Sequence, residues 1–280
     1  MIRVRQIYIM YCFKILRIGC GTLKILIVDD EDALLQQAKI FLEQLDQDLE
    51  IDTAVSPKDA LKLLKSGNYD GVVSDYQMPE IDGLDFLKIL RQEKNIDIPF
   101  IMFTGKGREE VAMKALNMGA DRYLQKGGDP RTQYGVLAQA IEQEVTHHKT
   151  KKRNKELLRD LDETFNTIDN PILLLDNNHH ILRVNKAAER FFDKKREKLV
   201  GGPCHKFTHN MDSPLEKCPL KKSIDTKQME EVKFYDEDKN RYFIARTNPI
   251  MDDDGEIKKF IHQEIDITDI RSKRHLYSGH

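Results

Sequence analysis

The sequence predicts two domains of different class joined by a helical linker. The first is an α/β domain on a five-stranded, doubly wound parallel sheet. The second is an α+β domain on a five-stranded antiparallel sheet. Three observations carry this. Apolar strand-like runs alternate with helix-like spacing from residue 23 to 145. A wholly polar stretch, THHKTKKRNKE at 146–156, follows. After Pro171 the order becomes two strands, several short helical pieces and three longer strands. Alternation implies crossovers and parallel strands covered on both faces, whereas strands grouped at the ends of a domain imply an antiparallel sheet with its helices on one side. The 280-residue length agrees with about two domains.

In chain order, LKILIVDD (23–30) opens as a strand. Leu34, Leu35, Ala38, Phe41, Leu42 and Leu45 then recur at helical spacing. EIDTAV (50–55) is a short strand, and SPKDALKLLKSGN (56–68) a helix with Ser56 as N-cap and Pro57 at its first position. GVVSD (71–75), PFIMFTG (99–105) and RYLQK (122–126) are the remaining strands. Helices at 83–95, 108–119 and 132–145 complete the alternation. Apolar spacing resumes at Leu158, Leu161, Phe165 and Ile168, which suits either a dimer seam or an amphipathic helix packed on its own domain.

In the second domain, PILLLDNNHHILRVN (171–185) reads as two strands around a polar turn that leaves His179 and His180 solvated. KAAERFF (186–192) is a short helix, and three long strands follow Met229 with turns at DEDKN and DDDG. The expected boundaries are an N-terminal extension at 1–22, the α/β domain at 23–145, the linker at 146–168, the α+β domain at 169–270 and a tail at 271–280.

Composition narrows the function. The chain has 45 basic and 47 acidic residues, a balance that argues against a dedicated nucleic-acid binder. Its four cysteines, Cys12, Cys20, Cys204 and Cys218, are too scattered for a disulfide scaffold, so a reducing, cytoplasmic setting is expected. In the extension the apolar run IYIMYCF is seven residues long before Lys14. A spanning helix needs about 20 residues, so no membrane attachment is expected.

Five polar residues fall at the carboxyl ends of the expected parallel strands: Asp29 and Asp30 after the first, Asp75 after the third, Thr104 at the fourth and Lys126 at the fifth. Open parallel sheets place ligand sites at that edge. A like-charge pair at 4 Å costs about 4 kcal/mol at an effective dielectric near 20. Gathered there, the carboxylates call for a cation, and a hard oxygen-seeking ion such as Mg²⁺ fits them. Lys126 adds a positive charge and Thr104 a hydroxyl donor, which together suit phosphoryl transfer onto a carboxylate.

The motifs ILIVDDE, VVSDYQMPEIDG, FIMFTGKG and DRYLQK, in this order and spacing, resemble the receiver domain of two-component response regulators. The resemblance implies a CheY-like, flavodoxin-like fold with Asp75 as phosphoacceptor. It implies Mg²⁺ held by Asp29, Asp30, Asp75 and the backbone carbonyl of Gln77. Thr104 and Lys126 would contact the phosphoryl group, with Thr104 and Tyr123 as the switch pair. Gly105 would leave the site open to a donor histidine. The family commonly has proline after the lysine, where this chain has KGGDP.

VNKAAERFF and DITD, within the strand pattern of residues 157–270, resemble a PAS domain. That implies a ligand, cofactor or dimerisation module with a pocket between sheet and helices. Cys204, His205, His209 and Cys218 in CHKFTHNMDSPLEKCP are candidate metal or redox residues, although their spacing matches neither a zinc pattern nor c-type haem attachment. Similar segments in PAS-like sensors include haem binders. A metal or haem site, a thiol pair and plain packing all stand open.

The expected function is a cytoplasmic response regulator that accepts a phosphoryl group on Asp75 from a histidine kinase, with Mg²⁺, and relays its state to the PAS domain. No kinase domain is read in the sequence, and His147 and His148 are read as linker residues, so no enzyme activity beyond the receiver's own phosphotransfer and dephosphorylation is expected. Two alternatives are a PAS sensor input with the receiver as phosphate relay, and a dimerisation adaptor for a separate kinase. A homodimer through the receiver face, the linker helix or the PAS domain is among the expected partners; nucleic acid and membrane are not.

Overall fold

The computed structural model describes residues 21–105, 109–237 and 239–268. The expected extension, apart from Gly21 and Thr22, and the expected tail at 271–280 lie outside the described residues, as do Cys12 and Cys20. The chain divides into two compact units, residues 1–155 and 156–280.

In the first unit, β1 (Leu23–Val28), β2 (Leu49–Ala54), β3 (Gly71–Ser74), β4 (Phe100–Thr104) and β5 (Arg122–Gln125) form one sheet in the order β2-β1-β3-β4-β5. All four pairings are parallel. The helices are α1 (Asp32–Leu45), α2 (Pro57–Ser66), α3 (Gly83–Lys88, running on as a π-helical stretch Ile89–Glu93), α4 (Glu109–Asn117) and α5 (Pro130–Thr167). Period-two alternation sends successive β1 side chains to opposite faces. Leu23, Ile25 and Ile27 meet Leu35, Leu42, Leu137 and Ile141 of α1 and α5 on one side. Leu26 and Val28 meet Ala60, Phe86, Leu87 and Ala115 of α2, α3 and α4 on the other. The sheet is therefore doubly wound, as expected. Ser56 caps α2 through Asp59 N at 3.2 Å with Pro57 at the first helical position.

The last α/β helix and the expected linker form one element, α5, of 38 residues. The division between units falls within it, at Lys155/Glu156. Its N-terminal part buries Tyr134, Leu137, Ala140, Ile141 and Val145. Leu158 and Leu161 are 68% and 65% exposed, so neither packs on its own domain in the single chain. Phe165 lies under the Arg183 guanidinium at 4.6 Å.

In the second unit, β6 (Ile172–Leu175), β7 (Ile181–Val184), β8 (Glu230–Asp236), β9 (Arg241–Met251) and β10 (Ile257–Asp266) form an antiparallel sheet in the order β7-β6-β10-β9-β8. Between β7 and β8 lie α6 (Lys186–Phe192), α7 (Arg196–Leu199), α8 (Cys204–Thr208) and α9 (Pro219–Thr226). Leu173, Leu175 and Phe260 of the sheet pack against Ala188, Phe192, Leu199, Cys204 and Leu220 of these helices. Asn185 organises the entry to α6. Its Oδ1 accepts from Ile172 N at 3.0 Å and Ala188 N at 2.9 Å, and its amide donates to the carbonyls of Ile168 and Asn170.

Candidate functional site

Asp29 and Asp75 each follow the last residue of a central strand, β1 and β3, whose register pairs Val28 with Ser74. Asp75 N donates to Val28 O at 2.8 Å, and Asp29 N to Ala54 O at 3.2 Å. The two carboxylates are thereby set side by side and buried. Lys126 follows β5, and its backbone N donates to Thr104 O at 2.8 Å. Its ammonium reaches across the sheet edge to Asp29 Oδ2 at 2.5 Å and Asp75 Oδ1 at 2.7 Å. The other carboxylate oxygens are held by backbone amides, Asp29 Oδ1 by Glu31 N at 2.9 Å and Asp75 Oδ2 by Gln77 N at 2.6 Å.

Asp29 and Asp30, adjacent in sequence, have different surroundings. Asp29 is buried against Lys126, whereas Asp30 is exposed. The three carboxylates do not close into one three-ligand group. Burial works to lower the Lys126 pKa, but the hydrogen bonds to Asp29 and Asp75 outweigh it and the net shift is upward. Lys126 stays charged as their counter-ion, and its Nζ also lies 5.8 Å over the Phe103 ring.

Three surrounding features set the site's shape. A Cβ on Gly83 would fall 2.3 Å from Asp75 O and 3.1 Å from Tyr76 Cα, so only glycine lets α3 start against the loop that carries Asp75. Asp82 caps that helix through Leu84 N and Asp85 N at 2.9 and 2.8 Å. A Cβ on Gly105 would meet only Lys126 Cβ, at 3.9 Å, which leaves the space next to Thr104 open. Where the receiver pattern has proline, Gly127 and Gly128 take φ of +147° and +83°, values proline cannot adopt.

Thr104 ends β4 and is buried. Tyr123, on β5, is half-buried and its hydroxyl is buried without a hydrogen-bond partner. Burial first, then the charge of Asp75, pushes its pKa up. Gln77 is exposed next to Asp75. The donor set fits a hard divalent cation: Asp29, Asp75, the nearby Asp30 and the Gln77 carbonyl offer only oxygens, and three carboxylates with one ammonium leave two uncompensated negative charges.

In the second unit, the candidates divide. Cys204 and His205 open α8, and the His179 Nδ1 lies 3.8 Å from Cys204 Sγ. The His179 and His205 rings meet edge to face at 5.9 Å. His209 ends α8 and packs its ring on Phe234 at 5.7 Å, and Cys218, buried, precedes α9. Neither belongs to the group that His179, Cys204 and His205 form. Sequence reasoning placed His179 in a solvated turn. Only His180 is exposed there, because His179 adopts φ +69° and is half-buried. It also missed a buried chain in which His262 bonds Thr247 Oγ1 at 2.9 Å and Glu264 Oε1 at 3.1 Å. The signal was present: His262 and Glu264 share the parity of Phe260, which faces the core.

Comparison with known proteins follows the same division. Residues 25–142 match the family described as response regulator receiver domain, and residues 169–269 the family described as PAS domain. Response regulator SaeR of Staphylococcus aureus (strain USA300) is 38% identical over 107 residues, which are 38% of this chain and 45% of SaeR. The chain thus spans less than half the length of that curated relative. A receiver domain protein of Clostridium thermocellum is 30% identical, covering 46% of this chain and 98% of its own, with a TM-score of 0.40. A CheY-like receiver domain protein of Methanospirillum hungatei JF-1 is 26% identical, covering 47% and 99%, with a TM-score of 0.41.

Proposed function

From a chain that joins a response regulator receiver domain to a PAS domain, and so belongs to two-component phospho-aspartate signalling, we propose a regulator that takes a phosphoryl group onto Asp75 from a histidine kinase, with Mg²⁺, and passes its state to the PAS domain. The observation that carries this is the triad of Asp29, Asp75 and Lys126, brought from three strand ends to 2.5 and 2.7 Å of one ammonium.

An Asp75 oxygen attacks phosphorus in line with the donor's imidazole nitrogen. A phosphorus–oxygen bond forms and the phosphorus–nitrogen bond breaks. Asp29, Asp30, Asp75 and the Gln77 carbonyl are the residues that would hold Mg²⁺, which supplies charge neutralisation at the transferring group. Lys126 releases Asp75 and turns its charge to a phosphoryl oxygen, while Thr104 donates its hydroxyl to another. Both stabilise charge as it develops, which is where catalysis of phosphoryl transfer chiefly lies. Tyr123 has an unsatisfied buried hydroxyl, worth about 1–3 kcal/mol to satisfy, so a rearrangement at Thr104 that offers it a partner favours a second rotamer.

The chain's own chemistry is confined to gaining and losing that phosphoryl group, and its place is the cytoplasm. Among the described residues no helix is long and apolar enough to cross a membrane. Phosphotransfer from a panel of histidine kinases, read by intact mass, tests the assignment. Wild type gains one phosphoryl group in a Mg²⁺-dependent way and Asp75→Asn gains none; undiminished labelling of the variant refutes it. A second reading, in which the PAS domain is a sensor input, is favoured by its buried polar interior around Cys204, His262 and Glu264.

A further inference from the structure

We propose that the PAS domain binds a borderline-soft transition-metal ion of zinc-like preference through His179, Cys204 and His205, with a fourth coordination position left for an exogenous ligand. One ligand atom from each lies within 4.8 Å of the other two, and among the described residues no other three His, Cys, Asp or Glu side chains gather this way. A tetrahedral ion with bonds of about 2.3 Å to sulfur and about 2.0 Å to nitrogen sets a sulfur–nitrogen edge of about 3.6 Å. The Cys204 Sγ to His179 Nδ1 distance is 3.8 Å. Two imidazoles and a thiolate select against Mg²⁺ and Ca²⁺ and suit zinc, cobalt or ferrous iron.

The backbone builds this arrangement before any ion arrives. The β6–β7 turn and the segment before α8 are laced together by Gly201 N to Ile181 O at 2.8 Å, Ile181 N to Gly202 O at 2.9 Å and Cys204 N to His179 O at 2.8 Å. His180 and Pro203 form an antiparallel bridge between them. His179 sits at φ +69°, uncommon for a residue with a Cβ, and this turns its ring inward while His180 stays exposed.

Two polar atoms nearby lack partners. His205 Nδ1 and Glu264 Oε2 are both buried without a hydrogen bond. An ion bound through His205 Nδ1 satisfies the first. Glu264, 2% exposed, lies within electrostatic reach of Cys204, so a cation in the triad sits close to a buried carboxyl group. On binding, the Cys204 sulfur–hydrogen bond breaks, the sulfur–metal bond forms and the proton leaves to solvent.

Cobalt titration of the full chain, in a Cys12→Ser/Cys20→Ser background under reducing conditions, tests the site. Saturating Mg²⁺ occupies the oxygen site of the receiver, which gives no sulfur-to-cobalt band. The expected result is a near-ultraviolet sulfur-to-cobalt charge-transfer band at one ion per chain, bleached by zinc. Cys204→Ser abolishes it, His179→Gln and His205→Gln weaken binding by at least about tenfold, and Cys218→Ser retains it. Circular dichroism confirms that each variant is folded. Absence of the band in wild type, its survival in Cys204→Ser, or its loss in Cys218→Ser overturns the proposal, the last pointing to a cysteine pair. Because the readout is sulfur-specific and independent of Asp75, its failure leaves the phosphotransfer reading standing.

Discussion

Adjacent aspartates at the end of a buried strand are tolerable here because a lysine from three strands away meets one of them. Lys126 is 18% exposed on its side chain, and the Asp29 and Asp75 side chains are 8% and 9% exposed. Removing one partner of such a group leaves charge without compensation, so Lys126→Met is expected to destabilise by about 3 kcal/mol. Mg²⁺ should recover part of the loss, because an ion that binds only the native state stabilises it by mass action. Urea unfolding with and without Mg²⁺ reads both effects; a variant as stable as wild type without the ion contradicts the counter-ion role. A second residue gives a pH test. Tyr69 Oη donates to Asp52 Oδ2 at 2.7 Å, and burial first, then that bond, pushes its pKa from 10.0 to about 12. A raised folded-state value means stability that is whole below pH 10 and lost as pH rises through 12. The stability difference between wild type and Tyr69→Phe, from urea midpoints, should shrink across that window and stay constant around neutral pH, where Asp52, whose pKa the same bond lowers, remains ionised. The strand-end residues were legible because each follows an apolar run. His179 was not, since its burial depends on a left-handed φ and on bonds to a loop more than twenty residues away.

At the scale of elements, the central strands β1, β3 and β4 were the easiest to read because four- to six-residue apolar runs between polar breaks have few other uses. The continuity of α5 was hidden by composition: THHKTKKRNKE offers no periodicity, yet nothing in it stops a helix that is already propagating. Residues 149–164 are exposed throughout, and an i,i+4 pair, Arg159 Nε to Glu163 Oε1 at 3.4 Å, is a weak brace for so long a stretch. A solvated helix of this length is marginal in water without tertiary support. Leu157, Leu158 and Leu161 form an apolar stripe on it with exposures of 48%, 68% and 65%. A second copy of the chain packed along that stripe would supply the missing support. Sedimentation should therefore show a concentration-dependent dimer for wild type and a monomer for Leu158→Lys/Leu161→Lys. Identical masses for the two proteins exclude the seam.

At the scale of the whole chain, two domains of different class were legible from the change in element order at Pro171, since alternation and grouping of strands imply different sheets. What the order of elements does not encode is how one domain's state reaches the other. In the proposed relay, α5 is the shared element: it buries Leu137 and Ile141 in the receiver core and ends next to Asn185, whose amide holds the chain that enters β6. A helix can pass on a bias only while its exposed middle stays helical. Lys151 and Lys152 are solvated, so Lys151→Gly/Lys152→Gly removes no packing yet costs about 2 kcal/mol of helix propensity there. Beryllofluoride with Mg²⁺, acting at Asp75, is expected to alter hydrogen exchange in β9 and β10 of the wild-type protein. In the double-glycine variant Asp75 should still be phosphorylated to the same extent by a kinase, because its site lies on the strand ends, but the change in β9 and β10 should fall away. If exchange in those strands responds equally in both proteins, the signal does not travel through the helix. If it responds in neither, the PAS domain does not register the phosphoryl group at all.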